Sequence, residues 1–185
     1  EDHPVRPADV NGIHKLGAEW YFRLYARVYG LKASVLRLTN TYGPRMRVRD
    51  ARQNFVGDWI RRALTGRPIE IFGDGAQRRD FNYVSDVVDA LLAAARSDEA
   101  AGRVLNLGGD RSHSLLQLAR LFGRHAGATH VHVPFPEHRR AIDIGDYQGD
   151  YGLARECLGW RPRVNLTEGL RLTLDYFRRH GRHHW

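Results

Sequence analysis

The sequence predicts an α/β fold. Short β-rich apolar runs alternate with segments whose apolar residues recur at helical spacing, and glycine or proline marks nearly every junction. A chain of 185 residues is long enough to bury a core and corresponds to one domain or slightly more. Residues 1–8 are polar and proline-containing and read as loop, unlike a signal peptide. Asp9 is placed to cap a helix over residues 10–29, with Gly30 as its stop. Ile13, Leu16, Gly17, Trp20, Leu24 and Val28 share one face of it, which predicts a buried stripe.

Residues 32–38 (KASVLRL) predict a buried parallel strand, and residues 39–53 a polar loop holding Gly43-Pro44 and four arginines. A second helix covers 54–65 and ends at Gly66. Strands follow at 69–72 and 80–83. A helix begins at Ser85 or Asp86, with Val87, Val88, Leu91, Leu92 and Ala95 as its apolar face. Further on, the pattern gives a strand at 103–107 and a helix at 114–125 with Leu115, Leu118, Leu121 and Phe122 inward. A strand at 130–133, a polar loop at 134–149 and helices at 150–158 and 167–180 complete the chain.

The formal net charge is +8, and Lys15 and Lys32 are the only lysines. An arginine-rich surface favours anionic partners. The arginines are dispersed, with neither a nucleic-acid recognition motif nor interleaved basic and aromatic residues, so no nucleic-acid partner is expected. The single cysteine, Cys157, excludes an intrachain disulfide framework. Three histidines cluster in RRHGRHHW, but no acidic or thiol partner stands at ligand spacing, so no metal site is expected. No apolar run approaches the roughly 18 residues of a membrane span. A cytoplasmic protein with no membrane partner is therefore expected.

The segment 66–90, GRPIEIFGDGAQRRDFNYVSDVVDA, is the most informative. It places Asp74, Gly75, Gln77, Arg78 and Arg79 on a loop between two short strands. Two arginines there suit bidentate binding of a phosphate or diphosphate, and equally a solvated basic turn. Its wording, IFGDG–Q–RDF–YVSDVVDA, resembles the extended short-chain dehydrogenases, the NAD-dependent epimerase/dehydratase family acting on nucleotide-sugars. The resemblance implies a Rossmann-type parallel sheet with a small α/β substrate-binding lobe. It also implies a nucleotide-sugar partner, NAD as cofactor, and a homodimer when complete. Such proteins open on a glycine-rich βαβ unit that cradles the dinucleotide. No strand–glycine–helix pattern of that kind occurs in these 185 residues, so the resemblance is to the C-terminal part. It divides the chain into 1–53, the end of the dinucleotide-binding domain, and 54–185, mainly the substrate lobe, some of whose segments return to the main sheet. Tight NAD binding by this chain alone is not expected.

Residues 11–15, NGIHK, match the family's Tyr-x-x-x-Lys helix, whose two named residues share a face four positions apart. The resemblance gives Lys15 the nicotinamide ribose and the role of lowering a tyrosine's pKa for acid/base work on the sugar hydroxyl. Here that tyrosine is Asn11, and an amide is no proton-transfer base near neutral pH. Either the usual oxidation step is replaced, or the protein is a binding module without redox chemistry. His14 adjoins Lys15 and reads as a surface residue.

Residues 37–45, RLTNTYGPR, resemble the family's R-x-x-N-x-Y-G-P-R segment, which implies that Asn40 meets the substrate. The bland alternative is that Asn40 satisfies loop backbone. Asn54 opens a helix, where a phosphate contact and a plain N-cap are both open. Phe72 suits either base stacking or core packing. The resemblance assigns Arg79 to the diphosphate. Residues 139–143, RRAID, resemble its R-x-G-D step with Ile142 in place of glycine, implying Arg140 as a second clamp and Asp143 for a ribose hydroxyl or a loop-fixing salt bridge. Gly159-Trp160-Arg161-Pro162 resembles its G-W-x-P turn, with Trp160 and Pro162 structural.

Overall fold

The computed structural model of the protein describes residues 1–49 and 54–184. Residues 50–53 of the predicted loop, where the first predicted domain ends, lie outside the described residues. The first half runs α1 (Val10–Tyr29), β1 (Val35–Arg37), β2 (Asn40–Tyr42), α2 (Phe55–Leu64), β3 (Ile69–Phe72), β4 (Arg78–Arg79), β5 (Phe81–Tyr83) and α3 (Val84–Arg96). Then come β6 (Val104–Asn106), β7 (His113–Ser114), α4 (Leu115–Ala126), β8 (His130–Val133), α5 (Glu137–Arg140), α6 (Gly152–Leu158) and α7 (Leu166–His180), with a final 3-10 turn over Gly181–His183. The α/β class is as the sequence predicts. Three strand pairs are parallel, β1 with β6, β2 with β5 and β3 with β8, while β4 and β7 pair antiparallel.

Local chemistry sets the boundaries. Asp9 accepts the Gly12 N–H at 2.7 Å and caps α1, and Gly30 closes it in the left-handed conformation, φ 66°. Ser114 and Gln117 form a reciprocal capping box at the start of α4. The polar loop expected at 39–53 contains a strand, β2. Asn40 and Thr41 dilute its hydrophobic signal, and its pairing with β5 supplies the order. Likewise, α5 forms inside the loop expected at 134–149.

Two apolar cores form. The larger joins Tyr42, Val56, Trp59, Ile60, Ile69, Ile71 and Phe81 to Leu118, Phe122, Leu170, Leu174 and Phe177, packing α2, α4 and α7 around β2, β3 and β5. The smaller joins Ala90, Ala94, Ala100, Leu105, Leu107, Ala154 and Trp160. Trp160 donates its indole N–H to the Asp86 carbonyl at 2.8 Å, in line with the structural role expected for the turn. The Asp86 carboxylate accepts the Arg163 and Val164 N–H groups, joining α3 to the approach of α7.

Two predicted packing faces are corrected. The stripe on α1 is not buried: Ile13, Trp20, Leu24 and Val28 are exposed, and Glu19 is the one buried residue of the helix. What anchors α1 is polar, a two-point pair between Glu19 and Arg37 at 2.8 and 2.9 Å. On α3, Val88, Leu91 and Leu92 are about half exposed, and the packed face is Asp86, Val87, Ala90 and Ala94. The helix lies close against its core, and small alanines permit that approach where leucines would not.

Candidate functional site

The site is built around Asp80, where the chain leaves the antiparallel β4–β7 pair and enters the parallel β2–β5 pair. The residue is fully buried. Its carboxylate accepts the Gly109 N–H at 2.5 Å and the Gly149 N–H at 2.8 Å. Its carbonyl accepts the backbone N–H of Asn40 at 3.3 Å and the Asn40 side-chain amide at 2.9 Å. Burial pushes the Asp80 carboxyl above its ordinary range, and the hydrogen bonds from Gly149, Gly109 and Phe81 oppose that rise. Glycine is required around it: a Cβ at Gly108 would overlap the Gly149 carbonyl, and one at Gly109 would lie 2.7 Å from an Asp80 carboxylate oxygen. Neither Asp80 nor this trio was singled out from sequence. The readable signal was a glycine pair directly after a strand, which spacing alone cannot match to a third glycine forty residues on.

Arg79, next to Asp80, is buried. It donates to the Asp143 carboxylate at 2.8 Å, to the Arg78 carbonyl at 2.9 Å and to the Gly145 carbonyl. Gln77 donates to the other Asp143 oxygen at 2.9 Å. The segment 143–147 is laced along β4 by two further bonds: Arg78 N–H to Asp146 at 2.8 Å and Tyr147 N–H to the Arg78 carbonyl at 3.1 Å. Arg78 itself holds Ser112 through its side chain. Burial, followed by the Asp80 charge, raises the Tyr147 phenol. His113, on β7 opposite Arg79, is pushed below its ordinary value by burial and then by the positive charge of Arg111.

The structure joins Arg79 and Gln77 to Asp143, whereas the Asn40 side chain satisfies the Asp80 carbonyl, the backbone alternative raised for it. Arg140 is exposed at the end of α5, and its carbonyl accepts the Asp143 N–H. Phe72 is half-buried, with the Phe135 ring at 5.7 Å and the Arg139 guanidinium over its face at 5.4 Å. Asn54 caps α2, accepting the Gly57 N–H at 3.3 Å. Asn11, His14 and Lys15 are exposed on α1. Among the described residues no cluster of three or more histidine, cysteine or acidic side chains is arranged to hold a metal ion. No helix of the described residues is long and apolar enough to cross a membrane.

The glycine pair after β6 offers no phosphate cradle, because the Gly109 N–H is taken by Asp80 and Gly108 abuts Gly149. That pair therefore does not fit the diphosphate of NAD.

The model of the NAD dependent epimerase/dehydratase family matches residues 1–108, more than half of the chain. The chain is 35% identical over 181 residues to UDP-glucuronic acid decarboxylase 1 of Xenopus tropicalis, covering 98% of this chain and 42% of that one. It is 34% identical to UDP-glucose 4-epimerase of Mycolicibacterium smegmatis, over 96% of this chain and 56% of that one. Among solved structures, UDP-glucose 4-epimerase of Thermotoga maritima with UDP-glucose superposes with a TM-score of 0.82 at 39% identity, covering 91% of this chain and 53% of the other. The UDP-glucuronic acid 4-epimerase of Bacillus cereus, in complex with UDP-glucuronic acid and NAD, gives 0.83 at 29% identity, covering 97% and 55%. The chain spans about half the length of the curated relatives it matches. Its fold is accordingly the C-terminal part of a Rossmann-type α/β structure. With its R-D-F strand step locked on Asp80 and its Asn40 segment paired alongside, the chain belongs to the NAD-dependent epimerase/dehydratase family.

Proposed function

We propose that this chain is the nucleotide-sugar-binding portion of an NAD-dependent nucleotide-sugar epimerase or dehydratase. The observation that carries the reading is the junction at Asp80, whose carbonyl holds the Asn40 amide and which directly follows Arg79 at the entry to the parallel strands. Ligands of open α/β sheets bind at strand ends of this kind. Under this reading Arg79 and Arg140 serve the diphosphate, Asn40 the sugar end, Phe72 the base, Asp143 the ribose or the loop, and Asn54 either a phosphate or its helix alone. Lys15 contributes to the NAD site of the complete protein, which acts as a homodimer in the cytoplasm. The smaller core, which holds β6 together with Ala154 and Trp160, supports late segments returning to the dinucleotide-binding domain.

A second reading rests on Asn11, which cannot exchange a proton as the family's tyrosine does. On that reading the protein binds nucleotide-sugars without turning them over. Calorimetric titration of the chain with UDP-, GDP- and dTDP-sugars tests the common ground. Saturable binding of at least one is expected, weakened by about 1.5–3 kcal/mol in Arg79→Ala, the range for a lost charge-assisted hydrogen bond. Binding of none sinks both readings. Turnover by the complete protein separates them: activity in the wild type favours the enzyme, and activity only after Asn11→Tyr favours the binding module.

A further inference from the structure

We propose that His130 and His132 on β8 form a two-histidine binding site for a borderline-soft divalent metal ion such as zinc. Both residues are exposed, and the one residue between them, Val131, puts their side chains on the same face of the strand. Their ring centroids lie 6.0 Å apart. A zinc-bound imidazole nitrogen sits about 2.0–2.1 Å from the ion. Adding the ring radius puts each centroid about 3.2 Å from the metal, so two rings can share one ion up to a separation of about 6.4 Å. The pair lies inside that limit.

The orientation of His132 is a second, independent observation. Its Nδ1 lies 2.8 Å from the Gly73 carbonyl. A carbonyl only accepts, so Nδ1 carries the hydrogen, and in the neutral ring the lone pair is on Nε2. Ligating histidines are held in this way, by a carbonyl or carboxylate on the nitrogen that does not meet the metal. Imidazole suits zinc, copper and nickel better than the hard ions magnesium and calcium. With two protein donors, the remaining positions of a tetrahedral ion go to water. The C-terminal histidines are placed differently: His184 Nε2 is 3.1 Å from the Tyr176 hydroxyl, and the His180 ring packs on Tyr176 at 4.8 Å. A bound ion also acts beyond β8. It polarises the His132 ring and strengthens its bond to Gly73, the left-handed turn residue that follows β3, φ 69°.

The test is a zinc titration of the wild-type chain, carrying no added affinity tag, read by proton–nitrogen correlation of the imidazole rings above the ordinary histidine pKa of about 6.5. The ring nitrogens of His130 and His132 are expected to shift together along one saturation curve. His132→Gln, whose side-chain amide can still donate to the Gly73 carbonyl, should weaken zinc binding at His130 on the order of tenfold, because a chelate has lost one of its two arms. His130→Gln should do the same to His132. His138→Gln, at an exposed histidine on α5, should change neither curve. Separate saturation curves in the wild type would overturn the proposal, as would a loss under about threefold in either variant, too small for a chelate. Zinc that saturates the C-terminal histidines while His130 and His132 stay unmoved would overturn it as well. Should His132→Gln melt well below wild type, His130→Gln decides the question through the His132 curve.

Discussion

His113 faces Arg79 across the β4–β7 pair, half-buried against the Phe81 ring at 6.5 Å. Burial and Arg111 together hold its pKa below the ordinary histidine value. A depressed pKa means the neutral ring contributes stability above about pH 6.5, the unfolded value, and that contribution is lost as pH falls through the folded value. Asp80 has the opposite sign: its raised carboxyl favours folding at low pH and loses that contribution as pH rises through its folded value. Denaturant melts of wild type and His113→Gln between pH 7 and pH 5 should converge as pH falls, because the variant lacks the titrating ring. Parallel curves would assign the acid sensitivity elsewhere. At this scale the sequence was most legible where it left two readings open: Asp143 forms the loop-fixing salt bridge, and the Asn40 amide satisfies the Asp80 backbone carbonyl. What the letters could not show was that the partner of Asp143 is Arg79, the guanidinium assigned to the ligand. Whether a charge is spent inside the protein or offered to a ligand is a three-dimensional property.

Among the elements, α7 makes the most demanding contact. Gly169 lies on its buried face, where a Cβ would overlap the Tyr42 hydroxyl and come within 2.9 Å of the Tyr83 ring. Tyr42 is fully buried and donates to the Leu166 carbonyl at 3.4 Å, so it has little room to retreat. Gly169→Ala gains roughly 1 kcal/mol of helix propensity, but overpacking costs about 1–3 kcal/mol. The net expectation is destabilisation, read as a lower denaturant midpoint. Gly17→Ala is the counterpart on α1: a Cβ there meets nothing within 4 Å, so helix propensity alone should act, raising stability by about 0.5–1 kcal/mol. If both shift the midpoint the same way, the packing account of Gly169 is wrong. The helices were legible because periodicity and caps are local; Asp9 and Gly30 act where the sequence placed them. The faces of α1 and α3 were not, because periodicity shows which residues cohere and says nothing of what lies opposite. Strand β2 escaped for a related reason: it has order only through its partner.

At the level of the whole molecule, Asp80 joins segments far apart in the chain, taking hydrogen bonds from Asn40, Gly109 and Gly149 at once. Asn40 opens β2 and the two glycines lie in loops, where amides ordinarily meet solvent. Two of these amides, at Gly109 and Gly149, instead point into a buried carboxylate. Protection of a loop amide is then no longer a local matter. To expose either one, the entry of β5, the end of β6 and the approach of α6 must part together, which is close to losing the fold. In deuterium oxide, the Gly109 and Gly149 amides should exchange with the slowest helix amides of the larger core, and Asp80→Asn should speed both by the same factor. Independent rates would mean that the two loops open separately. A common rate would make this one carboxylate the clock by which the loops of the molecule open.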